Sequence, residues 1–160
     1  MTAREFDLVL LGATGFTGRL CAEYLDAHAP EGVRIALAGR SMVKLEGVRA
    51  ALGARGRAFP LVGVNTDDPA QAEALAARTR VVCTTVGPYA RHGHALASAC
   101  ARAGTHVTDL TGELTFMRDS VDRNHADATR SGARIVHACG FDSIPSEVGA
   151  WMLHKHLGPL

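Results

Sequence analysis

No apolar run in this chain approaches the roughly 20 residues that a membrane-spanning helix needs, and nothing after Met1 reads as a secretory leader. Neither sign of charge is in excess. Lys and Arg number 17 against 16 Asp and Glu, a formal net charge of +1, which removes the electrostatic case for nucleic acid or a membrane surface as partner. The four cysteines, Cys21, Cys83, Cys100 and Cys139, lie far apart with no CxxC pair, so disulfides and a structural zinc are not expected and the thiols are read as reduced. Solenoid repeats, low-complexity tracts and linkers are also missing. These exclusions leave a globular domain of 160 residues, 47% hydrophobic, expected in the cytoplasm and recognising a small molecule locally. Eight histidines include His92 with His94 and His154 with His156. Both pairs fall in loop or helix patterns, where residues two apart diverge, and no metal is expected.

Among what is present, the opening of the chain is the most informative. A short apolar strand, Phe6 to Leu11, runs straight into Gly12, Ala13, Thr14, Gly15, Phe16, Thr17 and Gly18, and then into a helix pattern. A dinucleotide pyrophosphate needs backbone N–H groups aimed at it, the positive end of a helix dipole and no side chain in its path. Glycines at 12, 15 and 18 give that room. Three glycines alone signal little, but a strand before them and a helix after them make a cofactor loop the better reading than an ordinary tight turn.

Five more short apolar runs follow: Val33 to Ala38, Phe59 to Val64, Arg80 to Thr85, His106 to Leu110 and Arg134 to Ala138. Nearly uninterrupted runs of this kind suit strands buried on both faces, hence a parallel sheet. Between them, Phe16 to His28, Ser41 to Leu52, Pro69 to Arg78, His92 to Ala103 and Thr115 to Ser131 carry helical spacing. Ser41 and the Asp68–Pro69 step are start signals, and Gly104 and Gly132 are stop signals. The expected class is α/β, a doubly wound Rossmann-type sheet of about six strands in the order 3-2-1-4-5-6, with helices on both faces. From Ser143 a further helix begins, with Val148, Trp151 and Met152 on one face, and ends at Gly158, Pro159 and Leu160. Residues 1–142 are therefore read as the nucleotide-binding domain and 143–160 as the start of a helix leading to a substrate domain beyond the chain. The exposed patch around Trp151 and Met152 makes self-association or poor solubility an expectation, and a homodimer is expected through the half beyond the chain.

At the tip of the second strand, where NAD-specific sheets carry a carboxylate for the ribose 2′-hydroxyl, the chain reads Leu37, Ala38, Gly39, Arg40, Ser41. Nothing there repels a 2′-phosphate. Arg40 offers a planar fork, with Ser41 and Lys44 in reach, so NADP is the expected cofactor. The residues just after strands four, five and six face the ligand edge of such a sheet. After the fourth come Thr85, Gly87, Pro88 and Tyr89; Gly87 and Pro88 suit a turn along the cofactor ribose, and Tyr89 either donates a proton or packs. Asp109 and Glu113 can share a pocket and act as acids in hydride chemistry, unless Asp109 or Thr111 caps the next helix. Cys139 is a nucleophile if its pKa is lowered and a buried filler otherwise, while Asp142 and Ser143 are candidate caps of the last helix.

The runs GATGFTGRL, LAGRS, VVCTTVGPYARHG, GTHVTDLTGE and ARIVHACGFDSIPSEVG together resemble the amino-terminal half of saccharopine dehydrogenase-like oxidoreductases, including the trans-acting enoyl reductase group. The likeness covers nearly the whole chain, and the DLTGE and CGFDSIPS segments carry more of it than the glycine loop. It implies an NADP-binding domain followed by a substrate domain. For the enoyl reductase group it implies hydride transfer to an unsaturated, lipid-derived acyl thioester, with an acid near Tyr89, Asp109 or Glu113 protonating the α-carbon. Two positions depart from the pattern: Val107 stands where an aromatic residue is expected, and Glu147 where an aspartate is usual. Short-chain dehydrogenase chemistry, which needs a lysine four residues after its tyrosine, is excluded, because Tyr24 and Tyr89 are followed there by His28 and Gly93. The competing readings are a semialdehyde-dehydrogenase-like enzyme using Cys139 and a non-catalytic NADP-binding redox sensor.

Overall fold

The computed structural model describes Arg4–Gly158. Six parallel strands form one sheet: β1 (Phe6–Leu11), β2 (Ile35–Gly39), β3 (Leu61–Gly63), β4 (Thr79–Thr84), β5 (His106–Asp109) and β6 (Ile135–Val136), ordered β3-β2-β1-β4-β5-β6. This is the expected doubly wound order, and the chain reverses direction across the sheet between β1 and β4. The register sets Leu8 beside Ile35 and Val81, and Leu11 beside Ala38 and Thr84, so the strands around the reversal end level with one another.

The helices are α1 (Phe16–His28), α2 (Met42–Ala51), α3 (Pro69–Arg78), α4 (Tyr89–His92), α5 (His94–Ala103), α6 (Leu114–Ser131) and α7 (Ile144–Leu157), with a 3₁₀ turn at Gly56–Ala58. Start signals act as expected: Ser41 Oγ accepts from Lys44 N at 3.4 Å and Asp68 Oδ1 from Ala70 N at 2.9 Å. Gly104 and Gly132 end α5 and α6 in left-handed turns at φ 72° and 78°. The expected helix from His92 begins at His94 instead, after the separate short α4, and Gly93 between them packs so closely on Phe116 that a Cβ there would lie 2.6 Å from the ring. Neither Asp142 nor Ser143 caps α7 by its side chain. Pro159 and Leu160, expected to close that helix, lie outside the described residues.

Each face of the sheet has its own core. On one face Leu10, Ala13, Ala22, Ile35, Leu37 and Leu45 join α1 and α2 to β1 and β2. On the other, Val9, Leu11, Leu75, Val82, Leu96 and Val107 lock α3 and α5 to the sheet. Several of these side chains are wholly buried, each contributing about 1.5–3 kcal/mol of burial. The register row Cys83, Thr108, Val136 is only partly covered, and Val136 is 48% exposed. Helix α7 carries no buried side chain; Val148, Trp151, Met152 and Leu153 all face solvent. Among the described residues no helix is long and apolar enough to cross a membrane.

Candidate functional site

The first loop leaves β1 through Gly12, whose φ of 89° disfavours any side chain, and enters α1 through Gly15. A Cβ on Gly12 would meet Thr85 Oγ1 at 2.6 Å, and one on Gly18 would meet Gly12 O at 2.1 Å. Gly18 therefore presses the first turn of α1 onto the loop. Gly15 is exposed with no side-chain cap, so the N–H groups of Phe16, Thr17 and Gly18 at the helix start have no intrahelical acceptor. Phe16 is 83% exposed and turns its ring away from the core. Three orphan donors at the positive end of a 13-residue helix form a seat for an anion.

A crevice of about 200 Å³ opens beside this loop at the carboxyl ends of the strands. Of the residues singled out from sequence, Gly12, Thr14, Gly15, Arg40, Thr85 and Gly87 line it. Arg40 is exposed at the tip of β2 and makes no hydrogen bond or ion pair among the described residues. Ser41 and Lys44 stand beside it at the start of α2, with the serine oxygen occupied in capping. Thr85 pins the loop: its hydroxyl lies 3.3 Å from the carbonyls of both Leu11 and Gly12, and its N–H donates to Leu11 O at 3.0 Å. Gly87 and Pro88 are exposed and joined by a cis peptide. The crevice also holds residues the sequence reading did not single out, Asn65, Thr66 and Asp67 after β3. His92, read as the start of a helix and set aside as a metal ligand, closes the rim through Nδ1, 2.7 Å from Asp67 Oδ1.

Beyond β4 and β5 the expected catalytic groups meet, but their polar atoms are engaged inward. The Tyr89 hydroxyl donates to Thr84 O at 3.0 Å and accepts from Leu110 N at 3.4 Å, and the residue is 4% exposed. Burial pushes its pKa up to about 12, which suits the packing reading over proton donation. Glu113 accepts from Tyr89 N at 2.7 Å and Ala90 N at 2.9 Å, holding the start of α4. Asp109, 4% exposed, caps no helix. Its Oδ1 accepts from Thr111 N at 3.1 Å, and its Oδ2 lies 2.6 Å from His137 Nδ1. Thr111 likewise accepts from Glu113 N, at 3.0 Å, without reaching α6. Cys139 is exposed, which corrects the expectation of a buried filler. Partial desolvation and the nearby Asp109 carboxylate raise its thiol pKa, the opposite of what a nucleophile requires.

Sequence reasoning passed over His137 because only the parallel pairing of β5 with β6 brings it to Asp109, 28 positions earlier. Among the described residues no group of three or more His, Cys, Asp or Glu could hold a metal ion. A larger cavity, about 680 Å³, lies at the amino ends of β1 and β2, bordered by Phe6, Ile35, Phe59 and Pro60. Doubly wound sheets bind their ligands at the opposite end, where the glycine loop is.

Known proteins place this geometry. The chain is 55% identical over 152 residues to a trans-acting enoyl reductase of Mycobacterium tuberculosis, and 52% identical over 154 residues to that of Mycobacterium leprae. The first match covers 95% of this chain and 36% of the relative, and the second 96% and 37%, so the chain spans about a third of their length. Among solved structures, saccharopine dehydrogenase (L-Glu forming) of Saccharomyces cerevisiae superposes with a TM-score of 0.68 at 17% identity, over 86% of this chain and 28% of that one. Citrobacter triphenylmethane reductase, solved with NADP(H), gives 0.60 at 14% identity over 82% of this chain and 48% of that one. At such identities the likeness is one of fold, and the fold is the expected Rossmann type. The family model described as the saccharopine dehydrogenase NADP binding domain matches residues 8–136, in accord with the cofactor read from Arg40. With its strand order, glycine loop and family match in agreement, the chain belongs to the saccharopine dehydrogenase NADP binding domain family.

Proposed function

We propose that this chain is the NADPH-binding part of an oxidoreductase that reduces an unsaturated acyl thioester, as the names of its mycobacterial relatives suggest. The observation that carries the reading is the pairing, around one crevice, of an uncapped glycine-rich helix start with an unpaired guanidinium at the tip of β2. The amides of Phe16, Thr17 and Gly18 hold the diphosphate, and Gly12 and Gly15 leave it room. Arg40 takes the 2′-phosphate as a planar fork, with Ser41 and Lys44 beside it. Thr85, Gly87 and Pro88 border the nicotinamide ribose. Bound NADPH supplies a hydride at the carboxyl ends of β4 and β5. Of the three expected acids, Asp109 alone belongs to the proton path in this reading; Tyr89 and Glu113 shape the loop that carries it.

In this reading residues 1–142 are the nucleotide domain and 143–160 lead into a substrate domain. A cytoplasmic location, a lipid-derived substrate and a homodimer formed beyond this chain complete it. Arg40→Asp tests the cofactor assignment by fluorescence titration of NADPH and NADH. Loss of one or two charge-assisted hydrogen bonds, about 1.5–3 kcal/mol each, raises the NADPH Kd by roughly tenfold or more, with NADH held within about threefold. An unchanged NADPH Kd refutes the assignment.

A further inference from the structure

Asp109 ends β5, and His137 directly follows β6, so both stand at the carboxyl edge where the nicotinamide half of a dinucleotide lies. His137 Nδ1 is 2.6 Å from Asp109 Oδ2, with side-chain exposures of 10% and 2%. The other carboxylate oxygen accepts from Thr111 N at 3.1 Å and Ala138 N at 3.3 Å. A carboxylate can only accept, so Nδ1 carries the hydrogen and Nε2 is left as the exchangeable position of the ring. Nε2 makes no hydrogen bond among the described residues.

His137 lines a groove of about 270 Å³ between α6 and the open edge of β6, with Ser120, Asn124, His125 and Thr129. Phe116 meets the imidazole edge-on at 5.2 Å and 72°. The next residue, Ala138, is held at φ 57°, a left-handed conformation unusual for a side-chain-bearing residue, and Cys139 N donates to Asp109 O at 2.7 Å. Local strain of this kind collects where surrounding structure fixes a functional geometry.

We propose that His137 transfers the proton of the reaction, with Asp109 as its positioning residue and the α6–β6 groove as its route to solvent. The inference rests on the enoyl reductase reading. Addition of hydride at the β-carbon of the thioester moves the alkene electron pair into an enolate. The α-carbon of that enolate then forms a C–H bond with the proton of imidazolium Nε2 as the N–H bond breaks. The carbon–carbon double bond is reduced to a single bond with the thioester intact, the dinucleotide is oxidised, and neutral imidazole takes up one H+ from solvent through the groove, the net proton the reaction consumes. The titratable groups facing His137 are Asp109 from β5, His125 from α6 across the groove, and Cys139 on its own segment.

Long-range proton–nitrogen spectra of the 160-residue chain test the arrangement directly. The neutral ring of His137 is expected as the Nδ1–H tautomer, Asp109→Asn removes that preference, and saturating NADP+ shifts the His137 resonances. An Nε2–H tautomer, or resonances unmoved by NADP+, overturns the proposal. In the full-length protein with NADPH and crotonyl-coenzyme A, His137→Gln lowers kcat by about 10²–10⁴ and flattens its pH profile, with the NADPH Kd within about threefold. A kcat within threefold of the unaltered protein overturns it equally. Should the unaltered protein bind NADPH yet leave the thioester unreduced, the enoyl reading fails, and the spectra still decide on His137.

Discussion

Gly18→Ala is the most demanding test of the cradle, because the space it would fill is bounded by backbone. The new Cβ would lie 2.1 Å from Gly12 O, 2.7 Å from Gly12 C and 2.9 Å from Ala13 Cα, and none of these atoms can swing aside as a side-chain tip would. Restoring ordinary contact needs a retreat of α1 from β1 by about 1 Å or more. Overpacking costs about 1–3 kcal/mol where neighbours relax, and a backbone obstacle puts this site at or above the upper end. At roughly 2–4 °C per kcal/mol for a chain of this size, the melting temperature falls by about 6–12 °C. Differential scanning calorimetry reads this directly, and NADPH titration follows the displaced helix start. Gly15→Ala is the control. Its Cβ meets only Gly12 O, at 3.4 Å, and its φ of −75° is ordinary, so stability drops by no more than about 1 kcal/mol of cap preference while the methyl sits at the diphosphate approach. Weakened NADPH binding with a nearly unchanged Tm is therefore expected for Gly15→Ala, and a loss of both for Gly18→Ala. A Gly18→Ala protein melting within 2 °C of the original, on that ~6–12 °C scale, would refute the close-packing argument.

Tyr89→Phe removes the hydroxyl between Thr84 O and Leu110 N, and urea titration should find it about 1–2 kcal/mol less stable with NADPH affinity intact. Because burial raises the Tyr89 pKa to about 12, native structure favours the neutral phenol; the stability it contributes is complete below about pH 10 and is lost between about pH 10 and 12, a decline that Tyr89→Phe flattens. Asp7 has the opposite sign. The Arg34 guanidinium, at 2.9 Å, and Arg34 N–H hold its carboxyl down at about 2, so its contribution is present above about pH 4 and lost as pH falls toward 2. Acid titration of Asp7→Asn should lack that part of the loss. Ala138→Gly relieves a φ of 57° and should raise stability by about 0.5–1 kcal/mol in calorimetry, whereas Ala138→Val should lower it.

The elements at the centre of the sheet were the most legible. Phe6–Leu11 is a strand to the residue, because an apolar run broken only by Asp7, between a polar start and a glycine, has one comfortable conformation when both faces are covered. The edges were overread. Arg134 to Ala138 reduces to Ile135–Val136, since β6 has one neighbour and the chain turns off to place His137 and Ala138 on Asp109. Likewise Phe59 to Val64 reduces to Leu61–Gly63 at the opposite edge. That the glycine loop and Arg40 line one crevice was readable because glycine spacing and the residue at the β2 tip act locally along the chain. The other side was not: Glu113 reaching Tyr89 N, His92 reaching Asp67 and His137 reaching Asp109 span 24 to 28 positions, and no periodicity announces them.

Helix α7 buries none of its 14 residues, and a helix of that length without tertiary support is marginal in water. It and the sheet are then separate cooperative units joined at Ser143. Amide protons of α7 should exchange by fraying, on a timescale unrelated to global opening, while those of β1 wait for the whole domain. Followed by circular dichroism, heating would give a gradual helical decline ahead of one sharp transition, and a protease would find its first foothold in the final helix.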